Sequence, residues 1–217
     1  MDLLSFARGP ALHWSLAILV FGVLWRLTGI LLQKRKPDYS EPRSTATWMG
    51  ALKLIVLRSW PRKEFASATA FSQATGYLFH IGLAVVVFGY IPHILFFRDI
   101  FGFSWPGLPN SVIYFAGALT IGALVAALVR RLIHPVLKLI SNFDDYFSWF
   151  VTIAPVLTGL LASGHLGARY ETLLAIHILS VELLLVWFPF GKLMHATLVF
   201  VSRGTTGALF TRKGATL

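Results

Sequence analysis

Two histidines in one apolar stretch near the C-terminus are the residues best suited to chemistry in this sequence. His177 and His195 lie 18 positions apart within residues 173–200, LLAIHILSVELLLVWFPFGKLMHATLVF. At about 100° per residue, this spacing makes five whole helical turns, so both imidazoles would leave one face, roughly 27 Å apart along the axis. A bilayer's hydrocarbon core is about 30 Å thick. Imidazoles near both membrane boundaries suit a metal cofactor at each level, and haem is the best candidate.

The elements that must position these histidines are membrane-spanning helices. Of 217 residues, 56% are hydrophobic and only 13% are charged, which is too apolar for a soluble core of this size. The composition predicts an all-α, integral membrane five-helix bundle that forms a single domain over residues 1–217. Its predicted spans are about 11–32, 75–97, 112–133, 147–163 and 173–200. The fourth is short and carries Pro155. The first apolar run is too long for a cleavable signal peptide and reads as a retained helix.

Basic residues give the orientation of this bundle. Fourteen lie in or beside the connection 33–74, the connection after the third span and the C-terminal tail, against three at the opposite ends, Arg8, Arg98 and Arg169. This imbalance predicts an N-terminus outside and a cytoplasmic C-terminus, in the inner (plasma) membrane. The net charge of +10 is then mainly a topology signal, and no nucleic-acid partner is expected. Within the cytoplasmic loop 33–74, TWMGALKLIVLRSW is typical of a short amphipathic helix on the membrane, or of a partner-binding segment.

His80 is the partner predicted for His195. With this topology, His80 lies about five residues into the second span from the cytoplasm, and His195 about five residues before the fifth span returns there. The chain has no cysteine, which excludes thiolate and iron–sulfur sites within it. The matched depth predicts a bis-histidine haem b (heme b) between the second and fifth helices, with Gly82 leaving room for the ring. Packing or interfacial histidines are the alternative.

At this point the chain resembles the gamma, or cytochrome b, subunit of respiratory nitrate reductase and its relatives in other quinone-linked complexes. The resemblance is carried by the five-helix layout, LFHIG at 78–82, the Trp25–Arg26 pair, and FPFGKLMH at 188–195 with His177 placed 18 residues before the last histidine. It implies two b-type haems, a quinone reaction near the outer face and electron exchange with a cytoplasmic iron–sulfur protein. It also implies that His80 and His195 hold the inner haem and that His177 holds the outer one.

The second ligand of the outer haem departs from the family pattern. Where the family places a histidine ten residues after the first one, this chain has Tyr90, and a tyrosine ligand is unusual for a low-potential carrier. His93 would point about 60° away on an ideal helix. However, Pro92 can kink or end the helix here, so we expect His93 to pair with His177. The alternative is that the outer haem is absent. Tyr90, His93 and Arg98 are the candidates for quinone contact.

Three charged residues have candidate roles beside the histidines. Arg26 and Lys192 lie near the cytoplasmic ends of their helices, where they could bind haem propionates or extend to lipid headgroups. Glu182 lies well inside the fifth span, about 140° from the histidine face. A carboxylate at that depth must be paired, protonated or directed into a cavity, so it is either a proton relay or a packing residue.

These features predict a haem b membrane subunit of a respiratory oxidoreductase complex. It would transfer electrons between the quinone pool and a cytoplasmic iron–sulfur or catalytic partner, with terminal catalysis on that partner. Within the same class, the complex could be heterodisulfide-reductase-like or sulfur-metabolising. From a different class, the chain could be a cofactor-free membrane anchor or small transporter that uses Glu182 and Lys192 as buried charges.

Overall fold

Five long apolar helices confirm the predicted all-α architecture of a multi-pass membrane protein. The computed structural model describes residues 2–34 and 36–215; Arg35, one of the basic residues of loop 33–74, lies outside them. The described residues form helices and connecting segments without a β-strand. In chain order the helices are α1 (Leu3–Leu31), α2 (Thr47–Leu57), α3 (Ala66–Gly89), α4 (Ile91–Phe101), α5 (Asn110–Ile133), α6 (Pro135–Ile140), α7 (Phe143–Ser163), α8 (Tyr170–Trp187) and α9 (His195–Lys213).

The helices long and apolar enough to cross a membrane are α1, α3, α5, α7 and α8. The fourth span is longer than predicted, because α7 runs for 21 residues through Pro155. A capping box explains its earlier start: the Asn142 side chain accepts the Asp145 N–H, and the Asp145 carboxylate accepts the Asn142 N–H. In α1, a π-helical turn at Ala7–Ala11 accommodates Pro10 within the helix.

Two breaks interrupt the segments that carry the paired histidines. The first is the predicted one: α3 ends at Gly89, Tyr90 is extended, and α4 begins at Ile91 with Pro92 in its first turn. Proline suits this position, because the first turn of a helix uses no N–H donor there.

The second break corrects the prediction of one continuous helix over residues 173–200. Helix α8 ends at Trp187, a short 3₁₀ turn covers Lys192–Met194, and α9 starts at His195. Pro189 cannot continue α8, because its ring has no N–H and collides with the preceding turn. Its ring is fully buried, and a Cβ at Gly22 of α1 would lie 2.6 Å from it. His177 and His195 therefore lie on different helices, and the prediction that they share one helix face is wrong.

The spans pack in an ordered series, α3 on α5, α5 on α7, α7 on α8 and α8 on α1. Within the part of the chain that the structure describes, α3 and α8 do not pack closely on each other, although both carry paired histidines. The predicted role of Gly82 is also corrected. Its open side faces α5, where an added Cβ would collide with the Thr120 hydroxyl and lie 3.2 Å from the Ala116 carbonyl oxygen. Gly82 therefore brings two helices together.

Helix α2 forms where the amphipathic pattern predicted a short helix, and one of its faces packs against α9. Gly50 and Gly207 make the closest approach; an added Cβ on Gly207 would lie 2.8 Å from the Leu54 Cβ. The opposite face of α2 exposes Trp48, Leu52 and Val56. The connection between the first two spans is thereby packed against the helix that begins at His195.

Candidate cofactor sites

Four of the predicted histidines form two pairs with equal spacing. The ring centroids of His80 and His195 are 6.0 Å apart, and those of His93 and His177 are also 6.0 Å apart. In each pair, one histidine lies within a long helix and the other lies in the first turn of a helix that follows a break. His80 of α3 pairs with His195 at the start of α9, and His177 of α8 pairs with His93 in the first turn of α4. The histidine after each break thus meets the histidine before the other break.

The spacing fits two imidazoles that share one metal ion. Because a metal–imidazole bond is about 2 Å long and a ring nitrogen lies about 1 Å from its ring centre, imidazoles on opposite faces of one ion place their centroids about 6 Å apart. Among the described residues, no group of three or more His, Asp or Glu side chains could hold a metal ion. A haem needs only two protein ligands, since the porphyrin supplies the other four nitrogens, so these donor sets fit haem.

In all four imidazoles the same ring nitrogen, Nδ1, forms a hydrogen bond. Nδ1 lies 2.7 Å from the Gly76 carbonyl oxygen in His80 and 2.8 Å from the Lys192 carbonyl oxygen in His195. It lies 3.1 Å from the Val86 carbonyl oxygen in His93. A carbonyl oxygen only accepts, so Nδ1 carries the proton in these three rings. Metal-ligating histidines commonly donate one ring N–H to a carbonyl oxygen, and this arrangement leaves Nε2 free to bind a metal ion.

The tautomer of His177 follows from its neighbours in α7. Its Nδ1 lies 3.3 Å from the Thr158 hydroxyl oxygen, and that hydroxyl donates its own proton to the Ala154 carbonyl oxygen at 2.7 Å. Nδ1 of His177 is therefore the donor in this contact as well. Gly159 flanks the ring, because an added Cβ there would lie 3.0 Å from the His177 Cε1 atom. His177 is thus seated in the contact between α7 and α8.

The break at Tyr90 explains how His93 reaches His177. At the end of α3 the Val86 carbonyl oxygen accepts two hydrogen bonds, one from the Tyr90 N–H at 3.3 Å and one from the His93 ring at 3.1 Å. The Tyr90 ring packs edge-on against His93, with centroids 5.3 Å apart. The imidazole planes of His93 and His177 are inclined by only 20°, and both side chains are partly buried. The structure thus brings His93, rather than Tyr90, into register with His177.

The predicted quinone residues are only partly brought together. Tyr90 and His93 are in contact, whereas the Arg98 guanidinium pairs with its neighbour Asp99 at 3.1 Å and remains 52% exposed. The following loop folds back on the end of α3, where the Trp105 indole donates to the Phe88 carbonyl oxygen at 2.6 Å. This end of the bundle therefore combines an aromatic surface with the His93–His177 pair.

At the other level, an open groove of about 600 Å³ lies beside His195. Both predicted propionate partners, Arg26 and Lys192, line this groove. Its volume is within the range of about 300–1,000 Å³ that is common for cofactor and small-molecule sites. The planes of His80 and His195 are perpendicular, at 90°, and both residues are exposed at the protein surface.

Two carboxylates that were not predicted from the sequence contact this groove: Asp144 lines it, and Asp145 binds Lys192, which also lines it. Asp145 binds the Lys192 ammonium at 2.5 Å and the Arg131 guanidinium at 3.0 Å. Asp144 binds the main-chain N–H of Lys192 at 3.0 Å. The capping sequence NFDD, in which two carboxylates begin an apolar helix, was the available signal. It predicts a helix start but not its contact with residue 192.

Glu182 is buried as predicted, with 5% of its surface exposed. One carboxylate oxygen, Oε1, is fully buried and has no hydrogen-bond partner among the described residues. Because α8 also packs on α1 and α7, the carboxyl lies in the helical interior.

Comparison with known proteins finds a likeness that extends over nearly the whole chain. The chain is 34% identical to a protein of Nitratidesulfovibrio vulgaris strain Hildenborough over 226 aligned positions, which cover 98% of this chain and 96% of that protein. The name of that protein states no activity, ligand or partner. No protein-family model and no solved structure matches the chain.

Proposed function

We propose that this chain, which belongs to the same family as the Nitratidesulfovibrio vulgaris protein, is a haem b subunit of a membrane-bound respiratory complex. It would exchange electrons between the quinone pool and a cytoplasmic iron–sulfur protein that serves a catalytic subunit. The observation that supports this proposal is the pair of two-histidine levels, each with ring centroids 6.0 Å apart.

The histidines and their hydrogen bonds define what the protein contributes at each level. Bound haem b would supply reversible one-electron transfer there. Nε2 of each histidine would bind the iron, while the Nδ1–H bonds hold each ring and make it a more basic ligand. At the rise of a continuous helix, the 13 residues from His80 to His93 would span roughly 20 Å. Although Tyr90 interrupts the helix, a separation of this order would put the two levels towards opposite membrane boundaries.

The charged residues differ between the His80–His195 level and the His93–His177 level, and they favour a different function at each. Beside His195, Arg26 and Lys192 would bind anionic propionates, and Lys192 would share its ammonium with Asp145. The positive-inside rule assigns this end to the cytoplasm and the His93–His177 end to the outside. Quinol oxidation beside Tyr90 and His93 would then release its protons outside.

Glu182 is the observation that favours the second candidate, a small transporter or membrane anchor without a cofactor. A buried carboxyl with an unpaired oxygen is a common mark of an ion or proton pathway in membrane helices. The two matched histidine pairs favour the haem protein over this alternative.

The experiment that tests the proposal is a count of haem in the purified full-length chain. Pyridine haemochrome quantitation and reduced-minus-oxidised spectra would be recorded for the wild type, His80→Ala, His93→Ala and the double variant. We expect about two haems b in the wild type, about one in each single variant and none in the double variant. His165→Ala, which changes a histidine outside the pairs, is the matched control and should retain both.

Each contrary result has a separate meaning. A single haem that survives His93→Ala would restrict the cofactor to His80 and His195. Absence of haem from a wild-type chain expressed with adequate haem supply would favour the anchor or transporter. Retention of both haems in the double variant would refute the assigned ligands.

A further inference from the structure

The turn between α8 and α9 needs an anchor, because no helix connects His195 to the body of the bundle. Residues after Trp187 leave the helical path, and only the 3₁₀ turn Lys192–Met194 precedes His195. His177 by contrast lies inside α8. Something outside the turn must therefore define where the His195 imidazole lies.

The Asp144 carboxylate binds both sides of this turn. Its Oδ1 accepts the Lys192 N–H at 3.0 Å and the Ser148 hydroxyl at 2.7 Å. The Ser148 oxygen in turn accepts the Trp187 indole N–H at 3.0 Å. The last residue of α8 and the first residue of the 3₁₀ turn are thus both linked to the first two turns of α7.

The main chain of Lys192 connects Asp144 to the histidine. While its N–H binds Asp144, its carbonyl oxygen accepts the Nδ1–H of His195 at 2.8 Å. Gly191 keeps the turn close to the carboxylate, because an added Cβ there would lie 2.9 Å from Asp144 Oδ1. The path from Asp144 through the Lys192 main chain to His195 contains no long flexible side chain.

We propose that Asp144 is the positioning residue for His195: with Ser148, it holds the α8–α9 turn so that the His195 imidazole stays beside His80. This inference rests on the proposed function, because it names the residue that holds one of the proposed haem ligands in place. Its effect is confined to that level, because His93 donates its Nδ1–H to the Val86 carbonyl oxygen and His177 donates its Nδ1–H to the Thr158 hydroxyl. The His93–His177 level is therefore an internal control in every variant.

The first test compares Asp144→Ala with Asp144→Asn in the purified full-length chain. Alanine removes the acceptor, whereas the asparagine oxygen can still accept both hydrogen bonds. We expect Asp144→Ala to weaken haem binding at the His80–His195 level by roughly ten-fold, as is usual for the outer partners of a metal ligand. The low-spin EPR signal of that level should change, the signal of the other level should not, and Asp144→Asn should restore the wild-type spectrum.

A second test measures the distance between residues 80 and 195 without haem. Because the chain has no cysteine, a short bifunctional thiol reagent can cross-link the two introduced cysteines of a His80→Cys, His195→Cys variant. The yield of cross-linking reports how close these two positions are. We expect the additional substitution Asp144→Ala to lower this yield and Asp144→Asn to leave it unchanged. Should Asp144→Ala fail to fold, Ser148→Ala removes the link to Trp187 and should act in the same direction on both readouts.

The two tests separate the two proposals. If the wild type binds no haem but Asp144→Ala lowers the cross-linking yield, the haem function fails and the positioning role stands. If haem binds and neither Asp144→Ala nor Ser148→Ala changes the His80–His195 signal or the cross-linking yield, the positioning role is wrong and the haem function stands.

Discussion

The two histidine levels reach the same ring spacing by different means. His93 and His177 are partly buried, their planes are nearly parallel, and His177 lies in the contact of α8 with α7. His80 and His195 are exposed, their planes are perpendicular, and His195 depends on a turn held by polar contacts. One level is therefore positioned within the contact between two long helices, and the other by the short connection between α8 and α9. The first should be sensitive to changes in side-chain volume, and the second to changes in the turn.

The largest expected effect comes from Pro189→Ala. Alanine restores an N–H and removes the clash that ends α8, so the helix can extend towards Gly191, and every residue added to it rotates the following chain by about 100°. His195 should then leave His80, and the haem content should fall from about two to about one per chain, with only the His93–His177 signal left. Haem quantitation with EPR measures this.

Pro155→Ala is the matched control for that experiment. Pro155 lies within a helix that continues on both sides of it, so its replacement should leave both haems in place. Retention of both signals in Pro189→Ala would show that the turn does not depend on the proline.

The two plane angles predict two distinguishable EPR spectra. In a low-spin ferric haem, near-parallel axial imidazoles give a rhombic spectrum, whereas near-perpendicular imidazoles give a highly anisotropic one. Planes at 20° and 90° therefore assign the rhombic signal to His93–His177 and the anisotropic signal to His80–His195. His177→Ala should abolish the rhombic signal alone, and His195→Ala the anisotropic one alone. The reverse assignment, or one type of signal from both levels, would contradict these geometries.

A smaller effect is expected from Gly159→Ala, which tests the packed level. The new Cβ would lie 3.0 Å from the His177 Cε1 atom, so the ring must shift by a few tenths of an ångström. We expect haem at the His93–His177 level to be released to a scavenging apoprotein roughly ten-fold faster, with the other level unaffected. Gly122→Ala in α5 adds the same methyl group where no atom lies within 4 Å, and it should release haem at the wild-type rate.

The sequence predicts the structure around the His93–His177 level better than the structure around the His80–His195 level. Hydropathy predicted five spans, and Pro92 correctly predicted the break that brings His93 towards His177, because both signals are local. The break after Trp187 was missed, because the apolar residues on both sides of FPFG favour a longer helix, although Pro189 and Gly191 are helix-breaking residues. The Asp144–Lys192 contact joins residues 48 positions apart and depends on that break, so no local pattern could reveal it. The haem ligation itself stays a prediction at both levels.

The smallest expected effect is a change of reduction potential in Thr158→Val. Valine preserves the shape of the side chain but removes the oxygen that accepts the His177 Nδ1–H. That hydrogen bond makes the imidazole more electron-rich and favours ferric iron, so its loss should raise the midpoint potential of the His93–His177 level only. A neutral hydrogen bond contributes about 0.5–1.5 kcal/mol, and about 59 mV corresponds to a ten-fold change in a one-electron equilibrium, so the shift should be tens of millivolts. Thr152→Val removes a hydroxyl of the same helix whose partner among the described residues is the Ser148 carbonyl oxygen, and it should leave this potential unchanged in a redox titration. An equal shift at both levels would mean that the two haems respond to a common change in the bundle, and that the packed level is not positioned independently of the turn.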